Sequence, residues 1–211
     1  MNMKKRMLSI VLSGAMAVST AVSAGSFSAF AVAQCVAYSG SNVNAQDYVQ
    51  WSDTVKSYLT VCDNGNYMRV QSGAIEGKLL VEYYSSDFEP LSTKLIDNEL
   101  PIFGAFYDSG NNYYVLSGQE NPKQNDSLEV FRITKYDKNW NKIKSCGLYG
   151  ANTTVPFDAG SARMTHSGDH LLVRTCHEMY KSSDGNNHQA NVTIEVDMPS
   201  MTITDSYTGI M

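Results

Sequence analysis

DSGNNYYVLSG, residues 108–118, joins a polar turn that contains a glycine to a run of aromatic and β-branched residues. Gly, Asn and Ser favour tight turns, and Tyr and Val favour strands, so this stretch predicts a β-turn followed by a strand. The same order of residue types occurs twice more, in DNGNYMRVQSG (63–73) and HSGDHLLVRTC (166–176). The three stretches together predict a repeat built around this turn.

The segments on either side of each turn repeat as well. A strand candidate precedes each turn, namely SYLTVCD (57–63), IFGAFYD (102–108) and GSARMTH (160–166). Two more strand candidates follow it, and the second of them begins with an aromatic residue or a methionine: Phe88, Trp140 and Met201, which lie 52 and 61 residues apart. Alternation of residue types in LEVFRITKY (128–136) supports the strand prediction. Each unit therefore predicts four short strands, over about 57–97, 102–148 and 160–207.

Units of four antiparallel strands that recur every ~40–60 residues resemble the blades of a β-propeller. Residues 108–113 are similar to the Asp-box turn of sialidase-type propellers, although Phe106 stands where that box has Ser or Thr. The segments TCHEMY, SSDGNNHQAN and DSYTGIM look like parts of secreted or surface proteins of Gram-positive bacteria.

The resemblance implies an all-β fold of three four-stranded antiparallel blades, over residues 57–211. Closed propellers have about four to eight blades, so we expect an incomplete fragment of a longer chain that contains further blades or domains. A β-sandwich made from the same strands is the alternative.

The first 31 residues are typical of a secretory signal peptide, with Lys4, Lys5 and Arg6 before an apolar, small-residue stretch that ends at Ala31. A retained transmembrane anchor is the alternative, but Gly and Ser dilute this segment. Residues 32–56 then form an N-terminal lead segment, and the protein is predicted to be secreted or held at the cell surface without membrane insertion.

Charge argues against nucleic acid as a partner. Cleavage after residue 31 lowers Lys+Arg from 16 to 13 against 21 Asp+Glu, so the formal net charge falls from −5 to −8. An acidic protein is repelled by phosphate backbones.

Four cysteines follow the predicted cleavage position: Cys35, Cys62, Cys146 and Cys176. Export permits disulfides, and four cysteines allow three pairings, but free thiols are an equal alternative for a chain of this size. In the propeller arrangement, a bond between Cys146 and Cys176 is the hypothesis.

Loop length predicts where a ligand binds. The long polar segments 119–127, 149–157 and 177–189 would lie at one end of the blades, as a recognition surface for an extracellular glycan or peptide. The last segment supplies the candidate ligand-binding residues, which combine imidazole, carboxylate and phenol groups: His177, Glu178, Tyr180, Asp184 and His188.

The sequence contains no catalytic motif. We expect no metal or cofactor, because neither an H-E-x-x-H spacing nor a Gly-rich phosphate loop occurs. A non-catalytic binding module is the first interpretation. A fragment of a propeller glycoside hydrolase or lyase and a purely structural scaffold are the alternatives.

Overall fold

A computed structural model of the chain describes residues 54–158 and 160–209. The predicted signal peptide, most of the lead segment and Cys35 lie outside these residues. The described part consists of thirteen β-strands, turns and loops. It contains no helix long and apolar enough to cross a membrane.

The strands form three antiparallel sheets in chain order. The first sheet consists of β1 (Ser57–Val61), β2 (Tyr67–Ile75), β3 (Lys78–Tyr84) and β4 (Pro90–Asp97). The second consists of β5 (Ile102–Asp108), β6 (Tyr113–Gly118), β7 (Glu129–Tyr136) and β8 (Lys142–Tyr149). The third consists of β10 (Arg163–Ser167), β11 (His170–Lys181), β12 (Asn187–Asp197) and β13 (Thr202–Gly209), and β9 (Thr153–Pro156) also pairs with β11.

The fold class expected from the sequence is confirmed. Each sheet contains a run of four consecutive strands that pair with their neighbours in order, as in a propeller blade. The β-sandwich alternative is wrong, because its Greek-key connections would carry strands between two sheets, and each sheet here is completed before the next begins.

Equivalent strands of neighbouring sheets lie beside each other. The ring of Tyr58 in β1 meets that of Phe103 in β5 edge-on, at a centroid distance of 6.0 Å. Tyr107 in β5 reaches β10, where its hydroxyl lies 2.7 Å from His166 Nδ1. The first strands of neighbouring sheets therefore lie next to each other.

Apolar side chains fill both junctions between sheets. In the first junction, residues of β2 and β3 pack against an aromatic group from the second sheet: Phe103, Phe106, Tyr113, Tyr136 and Trp140. In the second, residues of β6 and β7 pack against the apolar faces of β11 and β12, including Val173 and Ile194. Burial of these faces against one another is the main source of cohesion between the sheets.

The turn before the last strand is built alike in the first two sheets. Ser85 Oγ accepts hydrogen bonds from the backbone N–H groups of Asp87 and Glu89, at 3.2 and 3.1 Å. In the second sheet, Asp137 Oδ1 accepts from the N–H groups two and four residues further on, both at 2.8 Å. A side chain that accepts two backbone donors fixes a tight turn without help from the partner sheet.

One predicted loop is mostly strand. Residues 177–189 were expected to form a long loop, but β11 and β12 pair from His170↔Asp197 to Lys181↔Asn187, and only residues 182–186 form the turn. The segment 149–157, also expected to be a loop, contains β9, which pairs with β11 through His177↔Pro156 and Glu178↔Val155. These extra pairings place His177, Glu178, Tyr180 and His188 on strands and leave Asp184 in the turn.

Candidate functional site

The connections at one end of the sheets form a shallow groove beside the third sheet. We call it the polar groove, and its volume is about 260 Å³. It lies where the segment 119–128 approaches β9 and the start of the β11–β12 hairpin. Its lining is rich in hydrogen-bonding side chains: Glu120, Pro122, Gln124, Thr154, Val155, Glu178, Lys181 and Asn187.

Glu178 is held in position within the polar groove. Thr154 Oγ1 lies 2.6 Å from Glu178 Oε1, and Asn187 Nδ2 donates to the same oxygen at 3.1 Å. The second hydrogen of the Asn187 amide serves the Met179 carbonyl at 2.9 Å. Both of these hydrogen bonds go to Oε1, and no described residue bonds to Oε2.

The segment 119–128, which contributes Glu120, Pro122 and Gln124 to the lining, is held in place by Asn121. Its backbone N–H donates to the Thr154 carbonyl at 2.7 Å, and its side-chain Nδ2 donates to the Tyr180 hydroxyl at 2.9 Å. Asn121 Oδ1 accepts the N–H of Asn125 at 2.9 Å, which closes the loop on itself. Burial, together with the nearby Asp126 carboxylate, raises the pKa of Tyr180. Tyr180 therefore connects β11 to the segment 119–128 and does not line the groove.

His177 points into the core, although it is adjacent in sequence to Glu178. Successive side chains of a strand face opposite ways, and His177 is fully buried. Its Nδ1 lies 2.6 Å from Thr153 Oγ1. Burial lowers the pKa of the imidazole to about 4, so it is neutral at physiological pH.

Asp184 and His188 meet at the tip of the hairpin. His188 Nε2 lies 2.9 Å from Asp184 Oδ2, and Asp184 Oδ1 accepts the N–H of Asn186 at 2.9 Å. The hydroxyl of Ser182 is the main cause of the lowered pKa of Asp184, followed by that N–H group. Both residues are exposed or nearly so, and neither lines the polar groove. Of the five candidates, only Glu178 therefore lies in the groove.

Sequence reasoning missed the residues that meet Glu178 from other segments. Glu120 and Gln124 come from the segment 119–128, and Thr154 comes from β9. The β-branched residues of TTVP (153–156) were the available signal for that strand.

The cysteine hypothesis is not supported by the structure. Cys62, Cys146 and Cys176 are free thiols. Cys146 packs in the junction between the second and third sheets. In β11 the buried side chains of Thr175 and His177 face that junction, so Cys176 between them faces away, and its thiol lies 3.7 Å from Asn191 Oδ1. The third sheet thus separates the two sulfur atoms.

No group of three or more His, Cys, Asp or Glu side chains in residues 54–158 and 160–209 is arranged to hold a metal ion.

No protein-family model matches the chain, and no curated protein is similar to it in sequence. Solved structures with a similar arrangement of strands include a variant of Synechocystis apocarotenoid oxygenase, at 9% identity and a TM-score of 0.48, over 73% of this chain and 38% of that one. A GH43 β-1,3-galactosidase with bound galactodeoxynojirimycin matches at 11% identity and a TM-score of 0.40, over 72% of this chain and 45% of the enzyme.

An exo-β-1,3-galactanase from Clostridium thermocellum matches at 8% identity and a TM-score of 0.39, over 68% of this chain and 32% of the galactanase. The chain thus spans less than half the length of each of these three proteins.

Proposed function

We propose that the protein is a carbohydrate-binding module and that the polar groove is its ligand site. The observation that carries this proposal is the lining of the groove, in which six of eight side chains carry a group that can form hydrogen bonds: an amide, a hydroxyl, a carboxylate or an ammonium group. Sugar hydroxyls both donate and accept, so they match such a mixed set.

Size favours a small ligand. Ligand pockets are commonly about 300–1,000 Å³, and the volume of about 260 Å³ is just below that range. One or two sugar rings fit such a site, and a longer glycan would extend beyond it. A peptide is less suited, because Pro122 and Val155 are the only apolar side chains in the lining and peptide sites take up apolar side chains or add a strand to a sheet edge.

Glu178 is the residue on which binding would depend. A carboxylate that is already hydrogen-bonded to Thr154 and Asn187 loses little conformational freedom when a ligand arrives. Its free oxygen would accept from a sugar hydroxyl, and hydrogen bonds to charged groups contribute about 1.5–3 kcal/mol each.

A glycan array followed by calorimetry on the best ligand tests the proposal. We expect Glu178→Gln to weaken binding roughly tenfold or more, because the charged acceptor is lost while the shape is kept. Asp184→Asn is the matched control, since it lies on the same hairpin outside the groove. Absence of any array ligand, or equal affinity of Glu178→Gln and the parent, would contradict the proposal and leave the scaffold alternative.

A glycoside hydrolase is the second candidate, on one specific observation. Glu120 and Glu178 both line the polar groove, and glycosidases use two carboxyl groups about 5–9.5 Å apart. Release of reducing ends from the array ligand, lost in both Glu120→Gln and Glu178→Gln, would establish hydrolysis. Binding without release would leave the module non-catalytic.

Export of the protein, to the medium or the cell surface, is also part of the proposal. It is supported by the basic and apolar character of residues 1–31 and by the acidic balance of the remainder. N-terminal sequencing of the protein recovered from a bacterial culture medium tests it, with residue 32 expected as the first residue.

A further inference from the structure

A larger groove lies at the opposite end of the strands from the polar groove. It is formed at the junction of the first and second sheets, between the turns that connect β1 to β2 and β7 to β8. We call it the junction groove, and its volume is about 440 Å³. The side chains that matter here are Asp63, Asn64, Asn66, Tyr83, Leu91 and Lys138.

The junction groove has an apolar wall with one ring held in place. Tyr83 packs at the edge of the core, and Trp140 Nε1 donates to its hydroxyl at 3.0 Å. Leu91 continues this wall, and its side chain is 51% exposed. A fixed aromatic ring beside an exposed aliphatic side chain is a surface on which the C–H face of a sugar ring can pack.

The other wall is polar and comes from the turn at residues 62–66. The backbone of this turn is bonded internally, since Cys62 N–H donates to the Asn66 carbonyl at 2.7 Å and Gly65 N–H to the Cys62 carbonyl at 2.9 Å. These backbone groups are already hydrogen-bonded. A ligand would therefore be recognised through the side chains of Asp63, Asn64 and Asn66.

Lys138 is the one lysine in the lining of the junction groove, and its charge is already paired. Its ammonium lies 2.7 Å from Asp108 Oδ1 and 4.4 Å from the ring centroid of Tyr113. Because the ammonium group is already paired with a carboxylate and lies over an aromatic ring, it does not need a negatively charged ligand to balance it. The groove thus matches a neutral ligand with one apolar face and several hydroxyls.

A groove at the junction of the second and third sheets can be compared with the junction groove. A groove of about 310 Å³ lies there at the same end, beside Asn111, Asn112 and Lys135. Its ring, Tyr114, is completely buried, and Lys135 Nζ donates to the Met198 carbonyl at 3.0 Å. It therefore offers polar groups and the imidazole of His166, but its one phenol ring is not accessible.

We infer that the junction groove is a second carbohydrate site, which takes one pyranose ring against Tyr83 and Leu91 and bonds its hydroxyls through Asp63 and Asn66. This inference does not depend on the polar groove. If both sites are occupied, one protein holds two glycan chains at opposite ends of its sheets.

Trp140 provides a readout that is local to this site, because its indole is bonded to Tyr83. The chain contains two tryptophans, so Trp51→Phe leaves Trp140 as the sole tryptophan. In that full-length background, methyl glycosides of glucose, galactose, mannose and N-acetylglucosamine are titrated while Trp140 emission is followed. We expect a saturable change with at least one glycoside, in the millimolar range typical of a ligand with few atoms.

Variants separate this site from the polar groove. Tyr83→Leu removes the ring, and Asp63→Asn alters only the exposed turn, so each should weaken the response roughly fivefold to tenfold. Glu178→Gln and Asn111→Ala should leave it unchanged. No saturable response to any glycoside, an undiminished response in Asp63→Asn, or its loss in Glu178→Gln would overturn the inference. A response to the peptide acetyl-Gly-Tyr-Gly-amide without one to glycosides would also overturn it.

Discussion

His177 has one satisfied and one unsatisfied ring nitrogen in a fully buried position. Thr153 Oγ1 lies 2.6 Å from Nδ1, whereas no described residue bonds to Nε2. A buried imidazole without a partner for its second nitrogen can hold only one proton at acceptable cost, so burial depresses its pKa to about 4. At the scale of the residue, this side chain is a pH-sensitive element of the core.

The free energy of unfolding should fall as the pH is lowered from about 6.5 towards 4. In the unfolded chain the imidazole has a pKa of about 6.5, and in the folded chain it is about 4. The unfolded state therefore binds the proton first. The stabilisation is complete above about pH 6.5 and is lost towards pH 4, by up to about 3 kcal/mol. Urea unfolding at pH 7.5, 6 and 5 measures this slope.

His177→Leu isolates the contribution of this one group. Thr153 Oγ1 also lies 2.9 Å from the Ala151 carbonyl, so its hydroxyl stays bonded in the variant. We expect the variant to lose less stability than the parent between pH 7.5 and 5. A variant His177→Leu with the full slope would show that other groups cause it.

Close contact between elements decides how the segment after β9 joins the second sheet. Phe157 is buried, and its ring meets that of Phe131 edge-on at a centroid distance of 5.4 Å. A Cβ atom added to Gly104 would lie 2.4 Å from Cζ of Phe157. The strand β5 therefore needs glycine at this position so that the ring can lie against its backbone.

Gly104→Ala should destabilise the protein by about 1–3 kcal/mol, as overpacking of a filled core does. Denaturant unfolding of the purified variant measures this loss. Gly104→Ala with Phe157→Leu is the test of the cause, because a smaller side chain removes the clash. The double variant should be more stable than the sum of the two single changes predicts. Strict additivity would mean that the ring is not what opposes the added methyl group.

The strands, turns and loops also differ in how well they can be predicted from the sequence. The turns and most strands could be predicted, since Gly, Asn and Asp alternate with β-branched and aromatic runs. The extended hairpin could not, because residues 177–189 are polar and composition favours a loop there. Backbone pairing between β11 and β12 forms regardless, since the outer face of the third sheet, with Arg174 and His170, is open to solvent.

The same limit applies to the site. Glu178 was predicted from local sequence, but Glu120 and Thr154 reach it from 58 and 24 positions away in the chain. Only the pairing of β9 with β11 and the folding of the segment 119–128 onto them bring these residues together. A single sequence does not contain that information in any local pattern.

At the scale of the whole molecule, the two junctions repeat the same contacts. A lysine of the last strand in one sheet reaches a carbonyl in the turn of the next: Lys94 Nζ donates to the Asn139 carbonyl, and Lys144 Nζ to the Ser200 carbonyl. A residue one or two positions before the last strand of the second and third sheets adds an apolar contact to the junction. Trp140 and Met201 are 4% and 3% exposed and pack towards the preceding sheet, whereas Phe88 is 59% exposed.

These three positions allow a matched comparison of the junctions. Phe88, Trp140 and Met201 have φ angles of 63°, 64° and 50°, so the backbone contribution of an alanine substitution is similar in all three and largely cancels. What remains is packing. Trp140→Ala should cost about 3–5 kcal/mol and Met201→Ala about 2–5 kcal/mol of unfolding free energy.

Phe88→Ala should cost less than about 1 kcal/mol, because the exposed ring loses chiefly its stacking on Tyr67, at a centroid distance of 4.4 Å. Urea unfolding of the three variants, followed by circular dichroism so that loss of Trp140 does not remove the signal, gives the comparison. Equal losses for Phe88→Ala and Trp140→Ala would contradict the view that these residues stabilise the protein by joining each sheet to the one before it.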